Sequence, residues 1–219
     1  MKFADVQNQL EEIFSRAIRS GISVKQNRPA VSESATQKSI GELKSSAIAL
    51  RDIPYKDIYT ELERLNQYHI KLGDGALLLF QYKFDASGNI NKHRLGYFPC
   101  PTLPSQEDAP ELYAKDSPYT EAVLHRVVRF PIRFDFDPKN YAPVTHAHSH
   151  LTLGQFDNCR IPASHPLSPN GFFLFVVRNL YYGAYKRNRN IFDRKITSCP
   201  SRECITEAEK KLTTLLVGR

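Results

Sequence analysis

Between Tyr68 and Phe98 the chain reads YHIKLGDGALLLFQYKFDASGNINKHRLGYF. Two turn signals divide it: Gly73-Asp74-Gly75, and the stretch from Asp85 to Asn89 around Gly88. Short apolar or alternating runs separated by Gly, Asp and Asn mark antiparallel hairpins, because a tight turn needs residues that tolerate a positive φ. The stretch predicts a three-stranded meander. The Gly-Asp-Gly element is too short for a phosphate loop and reads as a hairpin turn.

Working outward from the meander, strand periodicity resumes at Val123 and runs to Asp137 with a break near Pro131. After a polar turn from Pro138 to Pro143, a second run extends from Val144 to Leu153, so a second hairpin is expected. Near the start, Phe3, Val6, Leu10, Ile13, Phe14, Ala17 and Ile18 recur at helical spacing until Gly21. Residues 24–38 lack either period and read as an exposed connector. Ile58, Leu62 and Leu65 predict a helix after Pro54, and the proline-rich residues 99–120 a long surface connection. Ser168 and Pro169 supply an N-cap and first-turn proline for a helix carrying Phe172, Phe173, Val176, Val177 and Leu180. Thr206 and Glu209 form a capping-box pattern ahead of Ala208, Leu212, Leu215 and Leu216, which predicts a last helix. The expected architecture is one α+β domain over residues 1–219. Residues 1–67 form a helical region, residues 68–165 an antiparallel sheet of about five strands, and residues 166–219 C-terminal helices with a basic segment. The helices are expected on one sheet face.

Composition excludes several classes. With 41% hydrophobic residues, 13 Phe and 11 Tyr among 219 positions, the chain can bury enough apolar surface to offset the entropy of ordering. Ten Gly and 14 Pro are too few for a collagen-like or low-complexity polymer. Asp5, Glu11 and Glu12 interrupt the region where a secretory peptide needs an apolar stretch. The longest apolar runs, Ala76 to Phe80 and Phe172 to Val177, are too short to cross a membrane, so a cytoplasmic protein is expected. Cys100, Cys159, Cys199 and Cys204 show no CxxC spacing and read as reduced thiols. Cys199 and Cys204 would make half a zinc site, with no second ligand pair evident. The net charge of +7 favours polyanionic partners.

Chemistry concentrates at THAHSH, residues 145–150, where three of the seven histidines fall within five positions. On a regular strand His146, His148, His150 and Thr152 share one face, and Arg133, Asp135 and Asp137 share the polar face of the partner strand. An acid beside a histidine fixes its tautomer and raises its pKa. His146 and His150 would lie about 13 Å apart unless a bulge intervenes. Three uses remain open. Two histidines could act as base and acid on an RNA phosphodiester, with Arg133 or Arg160 on the phosphorane and no cofactor. A histidine pair with Asp135 or His165 could hold a divalent metal that activates water. The face could instead bind a partner without chemistry. Lys186, Arg187, Arg189, Arg194 and Lys195, following Tyr181, Tyr182 and Tyr185, are candidates for nucleic-acid contact through phosphates and stacked bases. His69, His93 and His125 stand singly and read as structural.

The stretches YHIKLGDGALLLFQY, HRLGYFPCP, RFDFD, HSHLTLG, CRIPASHPLSP and FFLFVVRNLYY together resemble the bacterial domain-of-unknown-function family 2290, over about residues 53–185. That family name brings no established activity. More distantly, the Asp-Gly turn, the R-x-D strand and the histidine strand are similar to TumE-type toxins of toxin–antitoxin pairs. That likeness implies a small growth-inhibiting protein with a cognate protein partner. The chain departs from those toxins in its added N-terminal helical region and C-terminal basic segment. The leading expectation is a nucleic-acid-directed effector of a toxin–antitoxin or antiphage system, cleaving RNA with His148 central among His146, His150, Asp135, Arg133 and Arg160. The alternative is a non-enzymatic, partner-binding subunit of a defence complex.

Overall fold

In the computed structural model, which describes residues 1–43, 53–103, 106–114, 117, 119, 130–156 and 158–218, the meander is the centre of the sheet. Strand β5 (Leu77–Asp85) pairs along its length with β6 (Ile90–Phe98). Its other edge is shared by β4 (Ile70–Leu72) at one end and β3 (Gln37–Ile40) at the other. Beyond β6 lie β7 (Ile132–Phe136), β8 (Ser149–Leu153) and the short β9 (Ile161–Pro162), all antiparallel. β1 (Ser23–Gln26) flanks β4, and β2 (Val31–Glu33) flanks β3. The Leu72 N–H bonds the Ala76 carbonyl at 2.8 Å across the Gly-Asp-Gly turn, in which Gly75 takes a φ of 89°.

Two sequence expectations fail here. The sheet has nine strands among the described residues rather than about five, because the segment read as a connector supplies β1, β2 and β3. Their side chains are mostly polar and exposed, so no apolar alternation announces them. Backbone pairing with β4 and β5 holds them instead. The last helix reduces to one 3₁₀ turn, Glu209–Lys211. Its capping box does form, with the Thr206 N–H donating to Glu209 Oε2 at 2.8 Å and the Glu209 N–H to Thr206 Oγ1 at 3.4 Å. The helix goes no further because Leu215 is extended, bridging Ala163 and exchanging backbone bonds with Pro162 and Ser164 at 2.8 and 2.9 Å. The start of the strand run expected from Val123, and His125, lie outside the described residues.

One sheet face packs against α1 (Phe3–Arg19) and α4 (Pro169–Leu180), as their apolar spacing requires, and the single turn α3 (Pro110–Tyr113) adds Leu112 to the same core. Phe172 meets Phe80 and Phe134 edge to face at centroid distances of 5.4 and 6.1 Å. Ser168 caps α4 by accepting the Gly171 N–H at 3.1 Å. The helices do not all share this face. Ile58, Tyr59 and Leu62 of α2 (Tyr55–Arg64) cover Leu77, Leu79 and Phe98, whose side chains point to the opposite side of the sheet. By strand alternation, that second face continues past α2 into Lys92 and Arg94 of β6, Arg133 and Asp135 of β7, and His150 and Thr152 of β8. No described helix covers this polar half.

Candidate functional site

The polar half-face is assembled by register. Arg94, Asp135 and His150 lie side by side across β6, β7 and β8, and Gly96, Arg133 and Thr152 form the adjacent row. Arg94 Nε donates to Asp135 Oδ1 at 2.9 Å. Burial pushes the Asp135 carboxyl up, but the guanidinium groups of Arg94 and Arg133 outweigh it and hold the group below its ordinary value. Asp135 is therefore a buried anion with its charge engaged. At the next position outward, Asp137 pairs with Lys92 at 2.5 Å and accepts from Asn140 Nδ2 at 2.8 Å.

The histidine stretch is not a regular strand. β8 begins only at Ser149, and before it Ala142 and His146 exchange backbone bonds at 3.0 and 2.9 Å across a tight turn. The departure from strand geometry brings the His146 and His150 rings to a centroid distance of 5.0 Å, edge to face, far inside the separation a regular strand imposes. His150 Nδ1 lies 3.0 Å from the Ala147 carbonyl and donates to it, so the neutral ring presents its Nε2 lone pair. His148 goes elsewhere: its ring stacks on Tyr141 at 4.0 Å.

Both rings of the close pair are held neutral. Burial lowers the pKa of His150, more than the neighbouring Asp135 raises it. Burial and the Arg160 charge lower that of His146. Arg160 is half-buried, and its guanidinium makes no ion pair or hydrogen bond with the described residues. The result is a pair of neutral imidazoles next to cations, a combination that receives an anion and can exchange protons with it.

Other expected site residues are dispersed. His165 is buried, with Nδ1 3.0 Å from Ser164 Oγ, and its carbonyl accepts from Ser149 Oγ at 3.1 Å on the helix-covered side. Among the described residues no three His, Cys, Asp or Glu side chains are grouped so as to hold a metal ion. In the basic segment, Arg189 pairs with Asp193 at 3.1 Å, whereas Lys186 and Arg187 are exposed. The expected stack of tyrosines is not available, because Tyr181 and Tyr185 are buried and only Tyr182 is exposed. His69 and His93 are buried and accept the amides of Phe80 at 2.9 Å and Leu167 at 3.0 Å.

Sequence reasoning missed two features. Asp74 in the hairpin turn is buried, accepting the Tyr181 hydroxyl at 2.7 Å and the Ala76 N–H at 3.1 Å. Burial raises its pKa, and no local pattern signals the contact, which spans 107 positions. Phe130 and Phe156, both exposed, join Tyr55, Pro131, Gly154 and Gln155 around a groove of about 330 Å³ at the end of the β7–β8 pair. The aromatic residues flanking Pro131 and Gly154 were the available signal.

No helix among the described residues is long and apolar enough to cross a membrane. No curated protein and no solved structure matches the chain. A family model described as an uncharacterized conserved protein, DUF2290, matches residues 22–217, which takes in the whole sheet, the histidine turn and the basic segment. The chain belongs to the DUF2290 family.

Proposed function

We propose that the protein is a nucleic-acid-directed effector of a bacterial toxin–antitoxin or antiphage system that cleaves RNA by histidine acid–base chemistry. The observation that carries this reading is the His146–His150 pair: two neutral rings at 5.0 Å, one with its tautomer set, beside Arg160 and the Arg94–Asp135–Arg133 group. A phosphodiester brought to these cations raises the imidazole pKa values and allows one ring to carry a proton. Asp135, opposite His150, favours His150 as that ring. His146 then takes the proton of the ribose 2′-hydroxyl, the 2′-oxygen bonds to phosphorus, and the P–O5′ bond breaks. The leaving oxygen takes the proton from His150, giving a 2′,3′-cyclic phosphate and a 5′-hydroxyl. Arg160 and Arg133 stabilise the charge on the phosphorane. An effector with a cognate partner is what the resemblance read in the Asp-Gly turn, the R-x-D strand and the histidine strand would imply, and no comparison adds to that resemblance.

The test is incubation of purified protein with end-labelled RNA and with DNA, in EDTA and then with magnesium, manganese or zinc, beside His150→Gln and His148→Ala. Expected are cyclic-phosphate ends on RNA in EDTA, a loss of about 10²-fold or more in His150→Gln, and activity near wild type in His148→Ala. Cleavage only with metal moves the chemistry to metal-assisted hydrolysis. Absence of cleavage under every condition rejects the enzyme and leaves the partner-binding subunit.

A further inference from the structure

On the helix-covered side of the sheet, opposite the face that carries His150, residues 192–197 run as a strap along α1. The strap is pinned by α1 side chains. Gln9 Nε2 donates to the Thr197 carbonyl at 2.7 Å, and Glu12 Oε1 accepts from the Thr197 N–H at 3.1 Å and its hydroxyl at 2.8 Å. The buried Arg16 guanidinium donates to the carbonyls of Phe192, Arg194 and Lys195 at 3.0, 2.7 and 3.1 Å. Between strap and helix is a cleft of about 430 Å³ lined by Glu12, Ser15, Arg16, Arg19, Ile191, Arg194 and Lys195.

Four of these groups are cations and one is an anion, and the anion is engaged by Thr197 and, at 3.8 Å, by Arg16. The side chains of Arg19, Arg194 and Lys195 make no ion pair or hydrogen bond with the described residues. Four cations are thus gathered around a formed concavity whose one carboxylate is already engaged, an arrangement that costs free energy in the empty protein and is relieved by a bound anion. Two guanidinium forks and an ammonium match the several equivalent oxygens of a phosphate better than the two of a carboxylate.

We propose that this cleft is a phosphate-binding site, separate from the histidine face, with Arg19, Arg194 and Lys195 as the contacts and Arg16 as the positioning residue that sets the strap. The phosphate belongs to a free nucleotide or to a nucleic-acid backbone. Binding at the cleft does not depend on RNA cleavage at the other face.

The test is thermal unfolding and titration of the full chain with inorganic pyrophosphate, ATP and a labelled ten-residue oligouridylate. Wild type is compared with Arg19→Gln/Arg194→Gln and, as a control away from both sites, with Lys56→Gln, an exposed cation of α2. Expected is a ligand-dependent rise in Tm and an affinity that falls tenfold or more in the double variant but not in Lys56→Gln. For the oligonucleotide, the salt dependence should also drop by about one to two phosphate contacts. The unliganded double variant should melt at or above the wild-type temperature, since its repulsion is reduced. Saturation by pyrophosphate or ATP assigns the cleft to a free phosphate ligand, and binding of the oligonucleotide alone assigns it to a backbone. Equal affinities in wild type and double variant, or no binding of any probe, overturn the proposal. Loss of cleavage with this binding intact would count against the histidine site alone.

Discussion

Leu95, Phe134 and Leu151 lie side by side across three strands on one face of the sheet, and Arg94, Asp135 and His150 lie side by side on the other. The residues alternate along the same strands, so backbone pairing is common to both rows and only the side chains differ. The first row meets Phe172 and Phe175 of α4 and joins the main core. The second is continuous with an apolar patch that α2 does cover, at Leu77, Leu79 and Phe98. Covering the polar half with an apolar helix would strand the charges of Arg94, Arg133 and Asp135, which are tolerable only while paired with one another or with solvent. One face is thus specified by packing and the other by charge pairing, and substitutions in the two should be read by different assays.

The largest stability effect is expected on the packed face. Phe172→Ala should lose about 3–5 kcal/mol, because an aromatic ring between Phe80 and Phe134 leaves a cavity that the sheet cannot close. Chemical denaturation at neutral pH measures it. A loss under about 1 kcal/mol would mean that α4 is not what holds this face. On the charged face, Asp135→Ala should cost about 3 kcal/mol through the uncompensated guanidinium groups rather than through lost volume. High salt should recover part of that loss, and a salt-independent deficit would argue for packing instead.

Burial pushes the pKa of His69 down to about 3 and that of His93 down to about 4, against an ordinary value near 6.5. As pH falls through 6.5, the unfolded chain takes up protons that these two folded-state rings refuse, so stability is full above that pH and declines below it. Between pH 7.5 and 5.0 the expected loss is about 2 kcal/mol per histidine, read from urea midpoints. The Asp74 carboxyl, raised by burial, acts in the opposite sense by protonating first in the folded state. His93→Gln should flatten the dependence by its share, and an unchanged slope would remove His93 from this account. The smallest stability effect belongs to Arg160→Gln, expected within about 0.5 kcal/mol of wild type because the side chain makes no bond with the described residues, while RNA affinity falls.

Much of this was legible in the residues. The meander, the Ser168-Pro169 cap and an acid beside a histidine across the second hairpin follow from turn chemistry, capping and alternation, all local rules, whereas the register that makes the pair Asp135 and His150 comes from the structure. The three N-terminal strands were not, because short polar edge strands are set by the partner's exposed backbone and leave no apolar signature. For the candidate site the residues show which side chains are clustered but not how they are arranged. A strand rule applied to residues 145–150 separates His146 from His150, whereas the turn brings their rings to 5.0 Å and stacks His148 on Tyr141. The same long-range contacts that buried Tyr181 and Tyr185 removed two aromatic candidates for base stacking.

Binding of a phosphodiester by the charged half-face through neutral imidazoles, as we propose, is tested most directly by an NMR titration of the histidine rings with and without a non-cleavable 2′-deoxy oligonucleotide. His146 and His150 should titrate below the ordinary histidine value in the free protein and shift upward on binding, with His69 and His93 unmoved. Rings at positions 146 and 150 that keep the same pKa under saturating ligand would contradict it.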